Sequence, residues 1–146
     1  MNTKLAEMMN QYIADTSVEY VKLHNLHWNV TGGQFKAVHE YIETLYDALA
    51  DVVDATAEVL KMNDQMPLGS MKDYLAITKI EELDNVEKSV KSVLEIALRD
   101  MKLLKEEAES IRKEAQEDDS FEVSNKMESD IENYAKTIWF VSSMLK

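Results

Sequence analysis

Residues that interrupt helices are nearly absent from this chain. All three Gly and the single Pro of the 146 residues fall in two short stretches, 31–34 and 63–70. The remaining sequence consists mainly of residues that favour helix and contains no breaker. Such a chain is restricted to a few long helices, each of which must bury one face against the others.

Apolar residues recur at steps of three and four along four long segments, which is the spacing of one face of a helix. These apolar faces run from Leu5 to Leu26, from Phe35 to Val59, from Val86 to Ile111 and from Met127 to Leu145. The first face is the weakest, because Thr16 and Glu19 interrupt it. No period-2 pattern indicates a strand. The sequence therefore predicts an all-α fold.

The connection between the second and third long helices, about 62–83, is long for a link between helices. That length is typical of a crossover that joins two parallel helices of a four-helix bundle. Ser70 precedes Asp73 by three residues, which is the spacing of an N-cap, and predicts a short helix at about 70–76. We therefore expect a four-helix bundle with a short extra helix in the long connection, forming one domain over 1–146.

Two further pairs, at the end of this connection and just after it, have capping-box spacing. Thr78 precedes Glu81, and Asp84 precedes Glu87, by three residues. A hydroxyl or carboxylate at the first position can accept from the free backbone N–H groups of a helix start. Both pairs predict helix starts, and Asp84 stands directly before the apolar face of the third long helix.

Composition excludes several classes of protein. The chain has no Cys, so it has no disulfide and no thiolate site, which favours a reducing, cytoplasmic location. It lacks a signal-peptide pattern and a run of apolar residues long enough to span a membrane. The formal net charge is -12, and Lys4 is the only basic residue near the N-terminus. This charge disfavours DNA binding, whereas cations are favoured partners.

Ionisable residues form a second stripe beside the apolar face of the second helix. His39 and Glu43 are four residues apart, as are Asp54 and Glu58, so each pair lies on one side of the helix. His27 adds an imidazole from the first helix. Imidazole and carboxylate donors without sulfur bind Fe, Mn or Zn and discriminate poorly among them. Taken alone, the carboxylate pair is more typical of a solvated helix face than of a metal site.

Helix geometry prevents these residues from binding one ion within one chain. His39 and Asp54 are fifteen residues apart, which corresponds to about 22 Å along a helix. If two copies pack their second helices antiparallel across a two-fold axis, the His39 end of one meets the Asp54 end of the other. The spacing therefore predicts a homo-oligomer with metal sites at its interface.

The segment 23–58 also resembles a known family. Its pattern is a His-Trp pair, a His twelve residues later, an acidic residue four further on, and then an Asp and a Glu four apart. These positions are filled by His27 and Trp28, His39, Glu43, Asp54 and Glu58. The pattern is similar to that of the Dps-like miniferritins, which belong to the ferritin-like superfamily, and the similarity extends over essentially the whole chain.

The resemblance implies a ferroxidase and iron store. It implies a ferritin-like bundle, a hollow homododecamer, and di-iron sites between subunits that oxidise Fe(II), preferably with hydrogen peroxide, and store the ferric product. The residues implied as both catalytic and metal-binding are His27, His39, Glu43, Asp54 and Glu58. The alternative is a non-catalytic oligomeric helical protein with a structural or regulatory Zn or Mn at its interface.

The segment 106–132 contains eleven acidic and three basic residues. It is either a solvated face or, by the resemblance, an acidic pore that admits Fe(II). The candidate pore residues are Asp118, Asp119, Glu122, Glu128 and Asp130. Elsewhere, His24 is expected to have no ligand role, and Trp28 and Trp139 are expected to be packing residues and not a stacking platform.

Overall fold

The computed structural model describes residues 1–146 and consists of four long helices and one short one. In chain order these are α1 (Thr3–Asn29), α2 (Phe35–Met62), α3 (Met71–Ile77), α4 (Val90–Glu117) and α5 (Phe121–Leu145). The long helices form a bundle, and α3 lies in the connection between α2 and α4. The predicted fold class, including the extra helix, is confirmed. None of the helices combines the length and the apolar content that a membrane span requires.

Hydrogen bonds between helix ends establish the direction of each helix. The Asn2 side chain donates to Glu114 Oε1 (3.2 Å), which brings the start of α1 to the end of α4. Asn63 donates to Glu122 Oε1 (3.0 Å) and brings the end of α2 to the start of α5. Each bond joins the start of one helix to the end of an antiparallel neighbour, and short connections reverse the chain between α1 and α2 and between α4 and α5. Thus α1 and α5 run in one direction, and α2 and α4 run in the other. The predicted crossover is therefore confirmed, because α2 and α4 are parallel.

The short helix begins where its cap predicts. Ser70 has an extended backbone, and its hydroxyl accepts from the Asp73 N–H (3.2 Å). The helix then occupies Met71–Ile77.

The two helix starts predicted at Thr78 and Asp84 are wrong. The third long helix begins only at Val90, and Ser89 caps it by accepting from the Ser92 N–H (3.1 Å). The reason is a contact distant in sequence that the local pattern does not show. Residues Lys88–Ser89 (β2) are held extended because they pair in parallel with Val30–Thr31 (β1). This two-residue ladder also has no counterpart in the sequence pattern, because it is too short to show a period.

The interruptions in the first apolar face do not bring that face to the surface. Both Thr16 and Glu19 are buried along with the apolar residues on either side of them. The Thr16 hydroxyl donates to the Tyr12 carbonyl of its own helix (2.7 Å), so its burial leaves no polar atom unpaired. Helix α1 thus contributes a continuous buried face to the 26-residue apolar core.

Glu19 belongs to a buried polar cluster between α1 and α4. Lys22 Nζ lies 2.8 Å from Asp100 Oδ2, and both side chains are almost fully buried. Burial and the neighbouring Asp100 carboxylate raise the pKa of Glu19 well above its ordinary value. This shift favours the protonated, uncharged form of Glu19, and Lys22 and Asp100 compensate each other as an ion pair.

Candidate metal centre

The end of α1 and the start of α2 bring two imidazoles together. The rings of His27 and His39 stack with centroids 3.6 Å apart and planes inclined by 12°. His27 Nδ1 lies 2.6 Å from the His39 carbonyl oxygen, and His39 Nδ1 lies 2.7 Å from the His27 carbonyl oxygen. Phe35 stacks on the other side of His39, at 4.9 Å. The pair is therefore fixed by reciprocal contacts between two helices.

These contacts determine which nitrogen of each ring can bind a metal. A carbonyl oxygen can only accept, so both Nδ1 atoms must carry the hydrogen and donate it. In the neutral imidazole the remaining nitrogen, Nε2, then has a free lone pair. Metal-ligating His side chains are commonly oriented in this way by a backbone carbonyl. The chemistry of His27 and His39 therefore fits two Nε2 ligands.

Glu43 completes this group one turn along α2 from His39. Its Oε1 lies 3.8 Å from His27 Nε2, and it accepts a hydrogen bond from the Tyr46 hydroxyl (3.2 Å). The Glu43 side chain is 55% exposed, whereas that of His27 is only 7% exposed. We call His27, His39 and Glu43 the imidazole half-site. The side of this half-site that carries Glu43 faces out of the bundle.

Asp54 and Glu58 form a second group on α2, here called the carboxylate half-site. Both side chains are exposed and lie one turn apart. Hydrogen bonding with Asp54 and repulsion between the two carboxylates raise the pKa of Glu58. The half-site is thus a concentration of negative charge that a bound cation would relieve.

The structure does not bring the two half-sites together within one chain. His39 and Asp54 lie on one uninterrupted helix (α2), so the fifteen residues between them correspond to about 22 Å. Nowhere in the chain are three or more His, Asp or Glu side chains arranged to hold a metal ion.

Sequence reasoning missed Tyr46 and assigned no contact to His24. Tyr46 donates to Glu43, and its ring stacks on His24 with centroids 3.7 Å apart. His24 Nδ1 donates to the Tyr20 carbonyl oxygen (2.7 Å). A usable signal was present, because Tyr46 follows Glu43 by three residues and must lie beside it on a helix.

Trp28 and Trp139, predicted to be packing residues, both lie on the surface of the single chain. Trp28 is 67% exposed and Trp139 is 65% exposed. Trp28 follows His27 directly but points away from the buried face, and its ring lies tilted beside that of His24 with centroids 5.5 Å apart. An apolar residue next to a buried one on a helix need not be buried, since adjacent positions differ by about 100° around the axis.

Among the candidate pore residues, Asp130 is wrong. It is only 6% exposed, and it accepts from the Tyr12 hydroxyl (3.0 Å) and from Lys126 Nζ (2.6 Å) inside the bundle. Glu128 is bound by Arg112 at 2.8 Å. Asp118 accepts from the Ser120 hydroxyl at 2.6 Å. Part of this acidic segment therefore has structural partners within the chain.

Comparison with known proteins agrees with this architecture. The model of the ferritin-like domain family matches residues 6–146. The DNA protection during starvation protein 2 of Bacillus anthracis is 32% identical over 145 residues, which are 99% of each chain. This chain belongs to the Dps-like miniferritins.

Solved structures of other miniferritins have the same fold. A Dps protein from Bacillus brevis superimposes with a TM-score of 0.94 at 27% identity, and all of both chains is covered. The Dps protein of Vibrio cholerae, described as a member of a superfamily of ferritin-like diiron-carboxylate proteins, gives a TM-score of 0.92 at 26% identity. That comparison covers 98% of this chain and 89% of the other. The miniferritin fold thus extends over the whole bundle.

Proposed function

We propose that this miniferritin oxidises Fe(II) at sites shared between two subunits and stores the ferric product inside a hollow homo-oligomer, most simply a dodecamer. Each site combines the imidazole half-site of one subunit with the carboxylate half-site of the next. The ligands are His27, His39 and Glu43 from one chain and Asp54 and Glu58 from its two-fold partner. Iron is the substrate and the cargo, and hydrogen peroxide is the preferred oxidant.

The observation that carries this proposal is the division of the ligands on α2. Neither half-site alone is arranged to hold a metal ion, yet four of the five candidate ligands lie on α2 and the carboxylates are exposed. An antiparallel pair of α2 helices would place each half-site opposite the other and create two equivalent sites. Membership of the ferritin-like family, and the diiron-carboxylate description of the Vibrio cholerae relative, support iron as the metal.

The donor set suits this chemistry. Hydrogen peroxide accepts two electrons, and each Fe(II) supplies one, so a pair of irons reduces peroxide to water without releasing hydroxyl radical. Hard carboxylate ligands favour the ferric product, and one of them can bridge the two irons. The two Nε2 atoms, held by their Nδ1 hydrogen bonds, need no reorientation when iron binds.

Nucleic acid is not a partner in this proposal, although relatives are named for DNA protection. The net charge of -12 per chain would be multiplied in an oligomer and would repel the phosphate backbone. We infer that any protection of DNA by this chain comes from removal of iron and peroxide.

The stoichiometry of peroxide consumption tests the function. Anaerobic protein loaded with Fe(II) and titrated with peroxide in a stopped-flow spectrometer should consume about two Fe(II) per peroxide. The ferric absorbance should stay in solution, and a spin trap should detect no hydroxyl radical. The Asp54→Ala, Glu58→Ala double variant is the control and should lose the rapid oxidation of Fe(II) by peroxide.

A ratio near one Fe(II) per peroxide, with hydroxyl adducts in the trap, would contradict the two-iron mechanism. Ferric precipitate in place of soluble product would instead indicate a site that binds metal without turnover.

A further inference from the structure

We propose that Tyr46 is a positioning residue for Glu43 and thereby sets the metal affinity of the imidazole half-site. The inference rests on the proposed function, in which Glu43 is a ligand. It extends that function by assigning a role to an aromatic cluster outside the ligand set, formed by Tyr20, His24 and Tyr46.

Glu43 needs such a partner because little else holds it. It is a long side chain, it is 55% exposed, and its other polar contact is His27 Nε2 at 3.8 Å, the atom that would itself bind metal. The hydrogen bond from the Tyr46 hydroxyl at 3.2 Å is therefore the one contact of Glu43 that metal binding would leave in place. Without it the carboxylate would be free to rotate into solvent.

Tyr46 is in turn held on two sides. Its ring stacks on His24 with a centroid distance of 3.7 Å and an interplanar angle of 23°, and Tyr20 meets its edge at 6.0 Å. The His24 ring is fixed by its Nδ1–H bond to the Tyr20 carbonyl oxygen (2.7 Å). The ring of Tyr46 also meets the edge of His27 at 5.3 Å. The packed aromatic cluster thus holds the Tyr46 hydroxyl in the direction of Glu43.

The direction of the hydrogen bond matters for the metal. The hydroxyl donates to one carboxylate oxygen of Glu43, so the second oxygen stays available to an ion. Partners of this kind behind a ligand typically change metal affinity by about 10–100-fold when they are removed. We therefore expect the Tyr46 hydroxyl to act on metal affinity and not on the oxidation that follows binding.

Cobalt(II), supplied without an oxidant, is the probe that separates binding from turnover, since its visible absorption bands report coordination. The change Tyr46→Phe removes the hydroxyl and keeps the stacked ring. It should weaken Co(II) binding to the metal-free oligomer by about tenfold and alter the absorption bands. The matched control is Tyr41→Phe on the same helix, whose ring packs against Phe140 and does not contact Glu43. This control should bind Co(II) like the wild type.

A double-mutant cycle distinguishes positioning from a general effect on structure. In a Glu43→Ala background, Tyr46→Phe should cause no further loss of Co(II) affinity, because the group it positions is gone. An equal loss in both backgrounds would overturn the role of Tyr46 while leaving the proposed function intact. If Glu43→Ala itself bound Co(II) like the wild type, both this inference and the ligand set of the proposed function would be wrong.

Discussion

Two inactive variants of this miniferritin are expected to recover iron oxidation when they are refolded together. One carries His27→Ala and His39→Ala, and the other carries Asp54→Ala and Glu58→Ala. Each alone lacks one half of every shared site and should be inactive. In a mixed dimer, one site lacks all four side chains and the other keeps all four.

The recovered activity has a calculable size. If the chains pair at random in equal amounts, half of the dimers are mixed and half of their sites are intact, so about a quarter of the wild-type sites return. The measurement is the initial rate of Fe(II) oxidation by peroxide after co-refolding. Each variant refolded alone is the control and should reach the same oligomeric mass by light scattering without activity. That mass matters because His27 is buried and its loss can affect folding.

A mixture that stays inactive while assembling normally would refute the shared site. In a site built within one chain, every subunit keeps its own lesion, and mixing restores nothing.

Replacing Glu107 with Gln is expected to stabilise the protein at neutral and alkaline pH. Both carboxyl oxygens of Glu107 are buried without a hydrogen-bond donor. Burial, together with the neighbouring Asp15, raises the pKa of Glu107 to about 9. The unfolded chain ionises the same group near pH 4.3. Between these two pH values folding must keep a proton on Glu107, which costs free energy.

The sign follows from linkage. Because the folded-state pKa is raised, the folded chain binds the proton more tightly, and stability falls as pH increases from about 4.3 to about 9. A glutamine side chain at this position has no proton to retain, and its amide can donate to Asp15 in place of the protonated carboxyl. We expect Glu107→Gln to gain about 1–3 kcal/mol at pH 8 and much less at pH 5, after allowance for partial exposure.

Thermal unfolding at the two pH values measures this difference. The matched control is Glu106→Gln, which removes the same charge at the exposed neighbouring position and should show no such pH dependence. An equal gain for Glu107→Gln at pH 5 and pH 8 would show that the cost does not arise from protonation.

The long helices and the crossover could be predicted from the sequence because they depend on local features. The lack of Gly and Pro, the apolar periodicity and the Ser70 cap all act within a few residues of each position. The start of α4 could not be predicted in the same way. It depends on the pairing of Lys88 with Val30, which are distant in sequence.

The candidate site also combines features that depend on local sequence with features that depend on contacts distant in sequence. The spacing along one helix was sufficient to predict that Asp54 lies far from His39. The hydrogen that each His ring carries on Nδ1 was not predictable, since it depends on a carbonyl of the other helix. Asp130 was misassigned for a similar reason, because its partner Tyr12 lies 118 residues away in the sequence.

The position of a bound metal ion would decide whether the site is shared between subunits. Crystals of the oligomer soaked with Co(II) and measured at the cobalt absorption edge would locate the ion. We expect an ion between His27 and His39 of one subunit and the partner's Asp54 and the partner's Glu58, at an antiparallel contact of two α2 helices. An ion held entirely by one chain, or a two-fold contact that leaves the two half-sites apart, would show that the shared site is wrong.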